Sequence, residues 1–204
     1  MTGFRKGLAL VAVAAGLIIG LAACGGGSGS GGEGGGGSSD SGGEPTTYQN
    51  AIYGFELTYS DPLRQSKAST TGDEKYAVAF ADKKGAELDD AYVNGVRVAV
   101  SEMKNSAKPA QVRKMKAEMT KVMEKMVADN DGEQIGEVVP AEAGGIPGYR
   151  VEFTAETSGV VIHYRVTFLF HGKLLFDFTE QAVVDDWDSL APALAAVTQS
   201  FTLD

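Results

Sequence analysis

The chain has 204 residues and a formal net charge of -9, from 18 Lys and Arg against 27 Asp and Glu. That balance excludes the positive field which nonspecific nucleic-acid binding needs, and it argues against adhesion to anionic lipid by charge alone. A single cysteine excludes an intramolecular disulfide framework and any multi-cysteine zinc site.

Residues 1–23 read as a leader. Arg5 and Lys6 precede an uncharged apolar run from Gly7 to Ala23. As a helix, such a run spans about 25 Å, short of a roughly 30 Å hydrocarbon core. Basic residues before a short apolar run mark a secretory signal peptide, with the basic end kept in the cytoplasm. The run ends Leu21-Ala22-Ala23-Cys24, which resembles the bacterial lipobox. The resemblance implies cleavage before Cys24 and a diacylglyceryl group on its thiol. Two acyl chains suffice for stable anchoring. The alternative is an uncleaved membrane helix, and both readings place the following domain on the extracytoplasmic face of the cell membrane.

Residues 24–47 hold the lipidated cysteine and a linker. Positions 25–43 comprise twelve Gly, five Ser, Glu33 and Asp40, with no apolar side chain to offset the entropy of ordering. The tract reads as a tether with an r.m.s. reach of about 25 Å. It is not a phosphate-binding loop, because no strand precedes it and no GK[ST] closes it.

Residues 48–204 form one globular domain, long enough to bury a core. Tyr53–Tyr59 alternates apolar and polar residues and stops at Asp61-Pro62, as a strand ending in a turn does. Lys75–Asp82 and Asn94–Glu102 read as further strands. Gly148–Glu156, Val160–Phe170 and Lys173–Gln181 follow, joined at Thr157-Ser158-Gly159 and His171-Gly172. Joints this short predict an antiparallel meander with one apolar and one mostly polar face. Pro109–Val127 changes period. Val112, Met115, Met119, Val122, Met123 and Met126 recur at steps of 3 and 4, predicting one amphipathic helix of about five turns. Trp187, Leu190, Leu194 and Val197 predict a second, begun near Ser189 because of Pro192. Trp187 is expected against the apolar sheet face. Phe201–Leu203 reads as a short closing strand. The class is α+β, an antiparallel sheet packed by helices.

The Tyr-Gly-Phe strand with its Pro-terminated turn, the mid-chain helix, the three meander strands and the Trp-containing helix running into Ser200-Phe201 resemble the PsbP/Mog1-like family. That family includes photosystem extrinsic subunits and actinobacterial lipoproteins. The resemblance covers about 50–204. It implies a sheet sandwiched by helices, no catalytic residues in most members, and a binding or accessory role. No family site motif carries over to a residue here.

Chemistry-bearing residues are few. His163 and His171 lie eight apart on one strand, near 26 Å at about 3.3 Å per residue, too far to share a metal. Asp129-Asn130-Asp131-Gly132 fails the EF-hand count, since position one falls on Val127; it reads as a helix-ending turn. Asp185, Asp186 and Asp188 suit a helix start, with a weak divalent-cation site as the alternative. The polar sheet face carries Arg97, Arg150, Arg165, His163, Glu152 and Asp177, a candidate partner or anionic-ligand patch. The stripe of Met115, Met119 and Met123 reads as core packing, or as an adaptable surface over an apolar ligand.

These observations point to a lipid-anchored envelope protein whose domain is a non-catalytic binding or accessory module for another envelope protein. No cofactor and no metal are expected. The alternatives are a carrier of a small apolar ligand or lipid beneath helix 109–127, and an envelope hydrolase, for which no nucleophile with a base and an orienting group is found.

Overall fold

The computed structural model describes residues 21–22, 44–88 and 91–203. Cys24, the tract 25–43 and most of the leader lie outside the described residues. In chain order the elements are β1 (Leu21–Ala22), β2 (Thr46–Asn50), β3 (Phe55–Tyr59), β4 (Leu63–Ser66), β5 (Glu74–Asp82), β6 (Glu87–Leu88), β7 (Ala91–Tyr92) and β8 (Gly95–Ala107). Then come α1 (Pro109–Val112), α2 (Lys116–Asp129), β9 (Glu133–Ala143), β10 (Ile146–Thr157), β11 (Val160–Val183), α3 (Val184–Gln199) and β12 (Thr202–Leu203).

The main sheet is antiparallel, in the order β4-β5-β8-β11-β10-β9. Smaller sheets join β12-β3-β2 and β1-β7-β6. The 24-residue β11 cannot be straight. Arg165 Nη1 and Glu180 Oε2 meet at 2.9 Å, whereas fifteen residues of extended chain would part them by about 50 Å. The strand folds back where Gly172 adopts a left-handed φ of 59°, the conformation a two-residue hairpin turn demands. Its first arm pairs with β10 and its second with β8. The predicted reversal at His171-Gly172 is therefore present inside one continuous strand. Ser158 and Gly159, both at positive φ, close the β10–β11 hairpin in the same way.

That turn decides which side chains share a face. Residues facing each other across an antiparallel pair lie on the same side of the sheet. With Arg165 beside Glu180, odd positions of the first arm share a face with even positions of the second. Ile162, Tyr164, Val166, Phe168 and Phe170 accordingly join Leu175 and Val183 in one cluster with Met119, Met123 and Phe153. Leu169 joins Phe176, Phe178 and Ala182 in the other, with Val96, Val98, Leu194 and Phe201. Thus α2 and α3 cover opposite faces at opposite halves of the sheet. The expectation of one apolar and one polar face is corrected: each face is apolar over one half and polar over the other.

Three further expectations change. The helix over 109–127 is broken at Arg113–Met115. The buried Tyr149 hydroxyl donates to the Val112 carbonyl at 2.8 Å, where an unbroken helix would place the Lys116 N–H. Next, α3 starts at Val184 rather than near Ser189, and Pro192 lies inside it. The bond Pro192 cannot donate would reach Asp188, and both residues are exposed, so water can satisfy that carbonyl. Finally, β9 was not foreseen. Its Gly136 and Pro140 read as strand breakers, but β9 is the last strand of the sheet, where proline is tolerated. The turn after α2 is as predicted: Asp131 takes a positive φ and the Gly132 N–H returns to Val127 at 2.9 Å.

Gly148 sits between Leu169 and Ala141 on neighbouring strands. A Cβ there would fall 1.8 Å from the Phe168 carbonyl oxygen. Gly148→Ala should therefore cost at least the 1–3 kcal/mol typical of overpacking, about, read as a drop in Tm by circular dichroism. A shift under about 2 °C would show that the strands part freely there.

Candidate functional site

The candidate residues separate onto the two polar half-faces. Arg150, Glu152, His163 and Arg165 come together on the α3 face. Arg97 and Asp177 lie on the opposite side, because Arg97 pairs with Thr179 and these positions alternate with the apolar Val98 and Phe178. The grouping of all six on one surface is corrected, and its cause is the parity change at Gly172.

On the α3 face, Glu152 is the hub. Its Oε1 accepts from Arg165 Nε at 3.1 Å, and its Oε2 lies 3.3 Å from His163 Nε2. Arg165 also reaches Glu180, whose side chain is 2% exposed; Glu180 Oε1 in turn accepts from Thr198 Oγ1 at 2.7 Å. Trp187 closes the cluster from above. Its indole stacks on the His163 ring with centroids 3.7 Å apart and planes 6° from parallel, and the Arg165 guanidinium lies 4.9 Å from the indole centroid, a cation–π distance. Trp187 is buried as predicted and belongs to the apolar cluster of this face with Phe178, Ala182 and Leu194, while its ring also covers the polar half.

Electrostatics follow from this packing. Burial works to raise the pKa of Glu152, but Arg165, His163 and Arg150 outweigh it and hold the carboxyl below its ordinary value. Burial lowers the His163 pKa against the pull of Glu152. For Glu180 burial wins: its pKa is raised despite Thr198 and Arg165. A carboxylate-oriented imidazole is half of an acid–base device. Here the ring is covered by indole and its partner carboxylate is shared with Arg165, so the cluster fixes side chains in place.

The opposite polar half-face is also closed. Arg97 donates from Nη1 to Glu74 Oε1 at 2.9 Å and from Nη2 to the Ser69 carbonyl at 2.8 Å. It is buried, not a surface cation. Asp177 accepts from Thr179 Oγ1 at 3.2 Å. Desolvation, opposed by Arg97 and assisted by Glu74, pushes its pKa to about 7. The methionines are corrected as surface candidates too: Met119 and Met123 are wholly buried and Met115 is half-buried. A cavity of about 450 Å³ is lined by Gln65–Ser69 and Tyr76–Val78, away from 109–127. Among the described residues, no three His, Cys, Asp or Glu side chains gather as metal ligands. No helix among them is long and apolar enough to cross a membrane.

Residues 44–203 match the PsbP family. The chain belongs to the PsbP family. Its fold is similar to that of the cyanobacterial PsbP, CyanoP, from Synechocystis sp. PCC 6803, at 18% identity and a TM-score of 0.55, covering 82% of this chain and 98% of that one. It is also similar to LpqN of Mycobacterium tuberculosis, a protein involved in cell envelope biogenesis, at 13% identity and a TM-score of 0.52 over 78% and 90% of the two chains. No curated protein matches this PsbP-family chain.

Sequence reasoning missed Glu74, Glu180 and Thr198 as partners of the candidate cations. Glu180 sits at an apolar-parity position of a strand, between Phe178 and Ala182, and that misplaced carboxylate was the available signal of a buried ion pair.

Two measurements test this electrostatic reading. Trp187→Ala should cost about 3–5 kcal/mol, as truncation of a buried aromatic does; a loss under about 1 kcal/mol would place the indole outside the core. Asp177 has a raised folded pKa, so the folded chain holds its proton more tightly than the unfolded chain does. Its contribution is present below the ordinary carboxylate pKa and is lost as pH rises towards about 7. Asp177→Asn should therefore gain stability relative to wild type between pH 4 and pH 7 in urea melts, the wild-type pH dependence of the other groups cancelling in the difference. A difference independent of pH would refute the raised pKa.

Proposed function

We propose that this chain is a membrane-anchored, extracytoplasmic lipoprotein whose PsbP-family domain acts as a non-catalytic binding or accessory module for another envelope protein. Family membership supports an accessory role, and the similarity to LpqN, which is involved in cell envelope biogenesis, supports the compartment. The observation that carries the binding role is a mixed strip on the α3 face beyond Trp187. Ile135 pairs with Glu152 across the strands, and Val161 shares that face; they are 43% and 45% exposed. Arg150 lies on the same face, next to Glu152 and opposite Thr167, with its side chain 43% exposed. Its Nε is buried and lies 3.9 Å from Glu152 Oε1, so the stem is held against the sheet. Exposed aliphatics that share a face with an arginine pre-positioned on a rigid sheet suit a protein contact, where arginine is enriched.

Lipidation of Cys24 rests on Leu21-Ala22-Ala23-Cys24 behind the basic leader. Cleavage there would also remove Leu21–Ala22 from its pairing with Ala91–Tyr92. Mass spectrometry of the mature N-terminus should show cleavage after Ala23 and a diacylglyceryl mass on Cys24; a chain starting at Met1 in the membrane fraction overturns the anchor. Crosslinked capture from native membranes tests the binding role. Arg150→Gln, which removes the charge without setting a second carboxylate against Glu152, should lose most of the captured partner with a Tm shift of no more than about 2 °C. Equal capture by both forms would remove this strip from consideration.

A further inference from the structure

The edge of the main sheet opens where β4 leaves β5. The ladder runs Leu63↔Asp82, Arg64↔Ala81, Gln65↔Phe80 and Ser66↔Ala79, and stops. Continued by the same register, Lys67, Ala68 and Ser69 would face Val78, Ala77 and Tyr76. Those two triplets instead line the cavity of about 450 Å³, within the size range of ligand sites, roughly 300–1,000 Å³. The departing segment is held out over the α2 face. The Ser69 carbonyl accepts from the buried Arg97, and Ala68 packs against Ala79 and Ala81.

The backbone direction inside this crevice is determined. The Asp82 N–H donates to the carbonyl of Asn94, the residue that leads into β8, at 2.9 Å. Along an extended strand the backbone groups alternate between the two sides, so even positions of β5 point towards β8 and odd ones towards β4. Ala79 meets its partner Ser66 there. The N–H and C=O of Ala77 point into the crevice, where Ala68 would have been. The Tyr76 side chain is on the α3 face of this edge, with its ring centroid 6.0 Å from that of Tyr53 and its hydroxyl bonded to that of Tyr48.

We infer that this crevice receives an extended peptide segment of a partner protein, which adds to β5 by pairing with Ala77. Backbone hydrogen bonds supply affinity and alternate side-chain pockets supply selection in such strand addition. The residue opposite Ala77 lies on the α2 face under Ala68 and Ser69, where only a small side chain fits. Its two neighbours turn to the α3 face beside Tyr76 and Tyr53, where apolar side chains fit. The occupant is thus an apolar–small–apolar strand. The site is at the opposite end of the sheet from the Arg150 strip and needs no lipid anchor.

The test uses the full chain and the capped pentapeptide Thr-Val-Ser-Val-Thr, with hydrogen–deuterium exchange followed by mass spectrometry. Saturating peptide should slow exchange in the segment 74–80 and leave β9, the other sheet edge, unchanged. N-methylation of the central serine removes the donor facing Ala77 and should weaken binding about tenfold, the worth of one net hydrogen bond. Replacing both valines by aspartate should abolish it. No protection at 74–80, protection at β9 instead, or equal binding of the N-methyl peptide would each overturn the inference.

Discussion

The two-residue reversal at Gly172 governs the rest of this domain. Because cross-strand partners share a face, the turn hands the apolar parity from one set of positions to the other. Had the arms of β11 kept a common apolar face, a single helix layer would have sufficed, with the other face open to water as in many antiparallel sheets. With the change, neither face is apolar throughout. The α2 layer must cover the half containing β10 and the first arm, and α3 the half containing β8 and the second arm. The three-layer arrangement follows from a local backbone constraint that only glycine meets without strain at φ 59°.

The same constraint creates two polar half-faces, and the chain closes both with matched charges. Glu152, Arg165 and Glu180 form one chain of ion pairs, and Arg97 with Glu74 forms the other. Buried pairs of this kind contribute little net stability relative to apolar packing, yet breaking one strands a charge at a cost of about 3–5 kcal/mol. Their geometric effect is more telling. Arg165 ties β11 to β10 and supports the indole of α3, while Arg97 holds the Ser69 carbonyl away from β5. One network orients a helix over the sheet; the other keeps the sheet edge open.

Much of the fold was legible because it rests on local periodicity. The meander strands, the hairpin joints at Ser158-Gly159 and His171-Gly172, the Met and Trp stripes and the turn at Asp131-Gly132 are all set by residues within a few positions of one another. The site was less legible. Whether Arg97 and Arg165 share a face depends on a parity count through the turn, and their partners Glu74 and Glu180 lie 23 and 15 positions away. The break before α2 depends on a hydroxyl from Tyr149, 37 positions distant. β9 was hidden because breakers in its sequence are harmless at an edge, a fact that only the tertiary arrangement reveals.

The closed state of both networks bears on what the domain can do. A catalytic pair needs one member free to exchange a proton with substrate and a cleft that excludes water. Here Glu152 already serves two cations, His163 is capped by Trp187, and Glu180 is sealed under Thr198. Among the described residues, the groups left open to a partner are of another kind: the exposed Ile135 and Val161 with the half-exposed Arg150 on one face, and the backbone of Ala77 at an opened edge. Both are fixed on the rigid sheet rather than on loops, so little conformational entropy remains to be lost when they meet a partner. Pre-organisation of that sort serves recognition directly, because the contact surface is already in place before a partner arrives.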